Sequence, residues 1–216
     1  MTAKDVLALA KKYKATVLDL TFVDVPGTMH HTSKPIHELE DVLKDGAGFD
    51  GSSIRGFQQI QESDMLLIPD PDTAYMDPFT AEPTLSIMCD VKEPGNADWY
   101  ARSPRTIARK AMAYLAKSGI ADTAFFGPEA EFFIFDHVSY SVEPGEAHYH
   151  VDSIEATWNC GTAEDGCPNL GYTIRHKEGY FPAAPSDTQQ DLRTEMVLTM
   201  EDLGIKVERQ HHEVAT

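Results

Sequence analysis

The chain has 216 residues, 42% of them hydrophobic, enough to bury the core of one large or two small domains. Thirty-five acidic residues against 18 basic ones give a formal charge of -17, which argues against a nucleic-acid binder and against attachment to an anionic membrane, since both rest on Lys and Arg. No apolar run reaches the length of a membrane span, and Met1-Thr2-Ala3-Lys4-Asp5-Val6-Leu7 lacks the apolar core of a signal peptide.

Thr2 is placed to cap a first helix, with Val6, Leu7, Leu9 and Ala10 as its apolar stripe and lysines at its end. Val17 to Val25 reads as a strand, Pro26-Gly27 as a turn, and Thr28 to Thr32 as the returning hairpin partner. Met65 to Ile68 and Leu85 to Val91 read as further strands, separated by a loop from Pro69 to Pro83. Short strands with one or two helices predict a small mixed sheet in the first hundred residues. Lys92 to Asp98 has the composition of a linker.

Ser103-Pro104 then caps and opens a helix whose stripe includes Ile107, Ala111, Tyr114 and Leu115, and Gly119 is a C′ stop. Gly127 to Asp136 reads as a strand. The stretch from Asp136 to Ala184 shows no regular pattern. A second helix starts near Ser186 or Asp187, carries Leu192, Met196, Met200 and Leu203 at helical spacing, and ends at Gly204; Ile205 to Thr216 then reads as a strand. Cys89, Cys160 and Cys167 lack paired spacing, which suits a reducing, cytoplasmic setting. Cys160 and Cys167 near His148 and His150 do not match the ligand spacing of a zinc ribbon or finger, and read as plain thiols.

The segment Gly127-Pro128-Glu129-Ala130-Glu131-Phe132-Phe133-Ile134-Phe135-Asp136 is the most informative. In an extended strand Glu129 and Glu131 share one face, continued by Phe133 and Phe135, while Phe132 and Ile134 lie on the other. A strand apolar on both faces is expected to be buried on both. Paired carboxylates entering such a layer repel each other and need a cation, an arginine cluster or a shared proton. A hard divalent metal that engages nucleotide phosphates answers that need.

Three segments together resemble type I glutamine synthetase: Gly48-Phe49-Asp50-Gly51-Ser52-Ser53-Ile54-Arg55-Gly56-Phe57, Gly127-Pro128-Glu129-Ala130-Glu131-Phe132, and His211-His212-Glu213-Val214-Ala215-Thr216. The resemblance implies an α+β chain. A β-grasp-like domain would span residues 1–97, and residues 104–216 would be the first part of a mixed-sheet, ATP- and metal-binding catalytic domain. It implies a ligase that joins ammonium to the side-chain carboxylate of L-glutamate through a γ-glutamyl phosphate, using ATP and two or more Mg2+ or Mn2+ ions. It also implies a homo-oligomer, a dodecamer of two stacked hexameric rings with active sites between subunits.

By the same resemblance, Asp50 binds ammonium and accepts its proton, with Ser53 beside it, on a loop that reaches a neighbouring subunit's site. Glu131 and Glu213 serve the metal on the glutamate side, and Glu129 the metal nearer the ATP phosphates. Glu208 and Tyr180 fall on the ATP side. In a regular strand Glu208 and Glu213 would point to opposite faces, so a bulge or bend is required between them. His211 and His212 read as supporting residues. Lys177-Glu178-Gly179-Tyr180-Phe181-Pro182 departs from the family's usual form, which has a glycine where Glu178 stands. The family's remaining metal ligands, phosphate-binding arginines and glutamate-gripping residues correspond to positions beyond Thr216, so this chain alone is expected to lack a complete site. Two rival readings are a short non-catalytic paralogue that joins rings of a longer homologue, and a truncated relic.

Overall fold

Helix α1 (Ala3–Tyr13) starts as predicted. The Asp5 amide donates to the Thr2 hydroxyl, and the Thr2 amide donates back to the Asp5 carboxylate at 2.7 Å. The computed structural model describes residues 1–95, 98–156 and 173–215. They form two compact units, Met1–Phe126 and Gly127–Thr216. Cys160 and Cys167 lie outside the described residues.

In the first unit, β1 (Val17–Val23) and β2 (Met29–Pro35) form the predicted antiparallel hairpin. Helix α2 (Leu39–Asp45) leads to β3 (Ala47–Asp50), followed by β4 (Asp64–Pro69), β5 (Tyr75–Met76) and β6 (Thr84–Lys92). The sheet order is β2-β1-β6-β4-β3, with β5 also paired to β6. β1 runs parallel to β6, and β4 runs antiparallel to both β6 and β3. This is the small mixed sheet expected, enlarged by β3 and β5. Those two strands are short and lie in glycine- and proline-rich sequence, so they carry no alternation long enough to read.

β1 alternates, burying Leu18, Leu20 and Phe22. Val6 and Ala10 of α1, Leu39 and Val42 of α2, Met65 and Leu67 of β4, and Leu85, Ile87, Cys89 and Val91 of β6 join the same core. Each fully buried Leu or Ile contributes about 2 kcal/mol in area removed from water. Burial and the neighbouring Asp90 push the Cys89 thiol up to about 12, so it packs as a small hydrophobe.

β6 is buried on both faces, because Ser86 and Asp90 point away from the apolar core and are also inaccessible. Helix α3 (Pro104–Ser118) contacts β6. Ser103 sits at its N-cap position without a side-chain bond, and Gly119 ends it at φ +70°. The predicted apolar stripe is not buried: Ile107, Ala111 and Tyr114 are exposed, and Thr106 is the buried residue of the helix. Instead, α3 is fastened by charge. Arg105 Nε lies 3.0 Å from Asp90 and its Nη2 reaches Asp70; Arg109 grips Asp90 through Nε and Nη2 and lies 3.4 Å from Asp70.

In the second unit, β7 (His137–Glu143) and β8 (Glu146–Asp152) form a two-stranded hairpin inside the stretch expected to be irregular. Its signal was Pro144-Gly145, a two-residue turn with Gly145 at φ +95°. Helix α4 (Gln190–Asp202) starts three or four residues later than expected and stops before Gly204, at φ +83°. Its apolar residues Leu192, Met196 and Leu198 are exposed.

Two strand expectations are corrected. Gly127 to Asp136 and Ile205 to Ala215 adopt no regular secondary structure and, among the described residues, neither joins a sheet, although the Asp136 amide donates to Asp152 O at the end of β8 at 2.9 Å. A strand exists only through inter-strand hydrogen bonds, and pattern alone supplies no partner. Phe132, Phe133 and Phe135 are therefore exposed rather than packed between layers. Local alternation survives, since the Phe133 and Phe135 rings stack at 5.7 Å.

Candidate functional site

Asp50 ends β3 and caps a short 3-10 turn, Gly51–Ser53. Its carboxylate accepts from the Ser52 hydroxyl at 2.6 Å, the Ser52 amide at 2.9 Å and the Ser53 hydroxyl at 3.0 Å. These bonds, the Ser52 hydroxyl foremost, hold the Asp50 carboxyl below its ordinary range. The group is exposed and ionised at neutral pH. Gly51 is needed for packing: a Cβ there would fall 2.2 Å from Met65 Sδ, and its amide donates to Ser63 O at 2.7 Å.

The loop closes on itself, because Gly51 O accepts from the amides of Ile54 at 3.2 Å and Gln58 at 3.4 Å. Phe57 is the buried end of the loop and lies beside Phe22 and Tyr100.

The second constellation surrounds Glu213, in the second unit. The segment carrying it lies against the loop at Gly179: the Gly179 amide donates to Val214 O at 3.3 Å and the Phe181 amide to His212 O at 3.4 Å. A Cβ on Gly179 would meet Glu213 O at 2.5 Å, so this approach requires glycine. His212 bridges. Nδ1 lies 2.8 Å from the carbonyl oxygens of Gly179 and Glu213, and Nε2 lies 3.1 Å from Glu155 Oε2. Glu155 Oε1 in turn accepts from the Thr188 amide and hydroxyl. His212 thus supports the segment, as the sequence suggested. His211 Nδ1 lies 3.6 Å from Glu213 Oε2, a distance of charge proximity only.

Behind these residues, Arg193 of α4 pairs with Asp187 and donates to Gln210 Oε1 at 2.7 Å. Burial opposes ionisation of Asp187, but the Arg193 guanidinium and the Gln189 amide outweigh it, and His212 adds in the same sense, so its carboxyl lies below the ordinary 3.8. A depressed carboxyl contributes stability that is complete above its unfolded value and is lost as pH falls through the folded one. Asp187→Asn should therefore flatten the acid limb of urea stability measured between about pH 2 and 5. An unchanged limb would show that the pair contributes nothing.

Glu129 and Glu131 are both exposed on the irregular segment, and Glu208 is exposed as well. With no strand at Ile205 to Ala215, the parity conflict between Glu208 and Glu213 does not arise. Tyr180 stacks on Phe181 at 4.0 Å, and both rings meet the edge of His211, leaving an exposed aromatic surface. The carboxylate donors suit a hard divalent cation, but among the described residues no three acidic, His or Cys side chains stand close enough to hold one. No local signal marks Glu155, Tyr100 or Arg102, because their partners are distant along the chain; the Asp187–Arg193 pair is local but spans the start of α4 and forms no recognisable motif.

Two family models match in succession: the glutamine synthetase β-grasp domain over residues 14–94 and the glutamine synthetase catalytic domain over residues 101–216. The chain belongs to the glutamine synthetase family. Glutamine synthetase of Microchaete diplosiphon is 53% identical over 216 residues, covering 100% of this chain and 45% of that protein. That of Mycobacterium tuberculosis is 51% identical over 218 residues, with 100% and 46% covered. The chain therefore spans less than half the length of these relatives. The cryo-EM structure of Plasmodium falciparum glutamine synthetase superposes with a TM-score of 0.84 at 27% identity, over 99% of this chain and 42% of that one. Among the described residues no helix is long and apolar enough to cross a membrane.

Proposed function

We propose that this chain supplies part of a glutamate–ammonia ligase. In that reaction ATP phosphorylates the side-chain carboxylate of L-glutamate, and ammonium, after losing a proton, displaces the phosphate to give glutamine. The observation that carries the reading is identity of about one half to glutamine synthetases along the whole chain, with an ionised Asp50 held ready on its loop. That similarity favours the ligase over a non-catalytic paralogue or a relic.

Within this reading, Asp50 holds the ammonium cation by charge and hydrogen bonding and takes one proton from it, freeing the nitrogen lone pair that then attacks the acyl phosphate carbon and expels phosphate. Ser53 keeps the carboxylate oriented, donating to Asp50 Oδ2. Glu129, Glu131 and Glu213 are the proposed oxygen donors to Mg2+ or Mn2+, which would neutralise phosphoryl oxygens during transfer. The described residues do not gather these carboxylates into one set. Tyr180 offers an aromatic wall and Glu208 a carboxylate on the ATP side. Residues 1–97 are assigned to the β-grasp domain and residues 104–216 to the catalytic one. A ring-shaped homo-oligomer in the cytoplasm, with the Asp50 loop serving a neighbouring subunit, completes the proposal.

Labelled ammonium should enter the amide of glutamine only when glutamate, ATP and a divalent cation are all present, with the protein purified in its native assembly. The 216-residue chain purified alone is expected to turn over negligibly. Incorporation independent of ATP, or none in the native assembly, would overturn the reading.

A further inference from the structure

The connector after β6 does more than join two segments. It bridges back to the sheet at Lys92 and Trp99, and the Tyr100 amide donates to Val91 O at 2.9 Å. From this fixed base it reaches the end of the Asp50 loop. The Tyr100 hydroxyl donates to Phe57 O at 2.8 Å. Arg102 Nη1 donates to Phe57 O at 3.0 Å and to Gly56 O at 3.2 Å. Gln58 Nε2 donates to Glu93 Oε1 at 2.7 Å. Two consecutive carbonyls and the following side chain are thus held by Glu93, Tyr100 and Arg102.

The geometry points to Tyr100 and Arg102 as positioning residues for Asp50. The mechanical link is short. Gln58 is bonded through its amide to Gly51 O, and Gly51 immediately follows Asp50. Fixing Gly56, Phe57 and Gln58 therefore fixes the Gly51 peptide, and with it the 3-10 turn whose Ser52 and Ser53 groups bind the Asp50 carboxylate. Gly56, at φ +84°, supplies the bend that exposes its carbonyl to Arg102. Burial pushes the Tyr100 hydroxyl up, against the opposing effect of Arg102, so it remains a donor at neutral pH. Arg102 is exposed apart from this contact, which makes its substitution separable from core packing. A guanidinium that spans two carbonyls has a geometry that lysine reproduces only in part.

This inference rests on the proposed role of Asp50, yet it can be judged without it. In the chain as it stands, Arg102→Ala and Tyr100→Phe should raise amide exchange at Gly51 to Phe57 roughly tenfold, as the lost hydrogen-bond free energy predicts, with β1 and β6 unchanged. The Asp50 carboxyl, followed by NMR, should titrate closer to the ordinary aspartate range. The Asp24 carboxyl, held down by His30, should not move. Arg102→Lys should recover part of both effects. Exchange and Asp50 titration identical to the unaltered chain would overturn the positioning role, whatever the catalytic outcome. If both shift but Asp50→Asn leaves ammonium use intact in the native assembly, the loop clamp stands and the ammonium reading of Asp50 falls.

Discussion

Asp90→Ala is expected to destabilise the first unit by about 3 kcal/mol, seen as a lower urea midpoint with an unchanged slope. The Asp90 side chain is 3% exposed and takes bonds from both Arg105 and Arg109. Removing it leaves two guanidiniums facing each other over a buried strand, with only Asp70 to balance them. The figure sits at the low end for a broken buried pair because Arg105 and Arg109 are 27% and 46% exposed, and water can partly solvate them. α3 has little apolar contact to substitute for the clamp, since Ile107, Ala111 and Tyr114 face outward. Asp90→Asn should cost less, because one acceptor remains. A loss below about 1 kcal/mol for the alanine variant would mean that α3 is held by something other than these ions.

Asp50→Asn should lower kcat/KM for ammonium by about 100-fold in the native assembly, the lower range for loss of a general base, and should raise KM for ammonium. The substitution is nearly isosteric. The amide oxygen can still accept from the Ser52 amide, so the turn should persist. What disappears is the negative charge that attracts the cation and the basicity that takes its proton. KM for glutamate should change little, and raised ammonium should recover part of the rate. An equal loss of apparent affinity for all substrates would point to a collapsed loop instead of a missing charge. Wild-type ammonium kinetics would remove Asp50 from the proposed site.

The resemblance carried by three short segments pointed to the family that whole-chain comparison then supported. Where the sequence was read as local structure, success depended on how local the cause was. Thr2 and Asp5 settle the start of α1 within four residues, and the alternation of Leu18, Leu20 and Phe22 needs only one covered face. The two failed strand expectations have one cause. Gly127 to Asp136 and Ile205 to Ala215 have strand-like patterns, but the described residues pair no strand with either. The hairpin β7–β8 carries a weak signal in the sequence, a two-residue Pro144-Gly145 turn between polar strands that bury little.

By itself the sequence determined the Thr2 cap of α1 and the Gly119 stop of α3, the mixed sheet's main strands, and the residue types of the candidate site: the Asp50 loop and the carboxylates Glu129, Glu131 and Glu213. Only the tertiary structure decided how those residues are held. The Asp90 clamp on α3, the His212 bridge from Glu155 to Gly179, and the grip of Tyr100 and Arg102 on the Asp50 loop join groups at least fifteen residues apart. Caps and alternation are encoded by neighbours along the chain. Charge pairing and carbonyl clamping depend on distances in space, which exist only once the sheet has brought distant segments together.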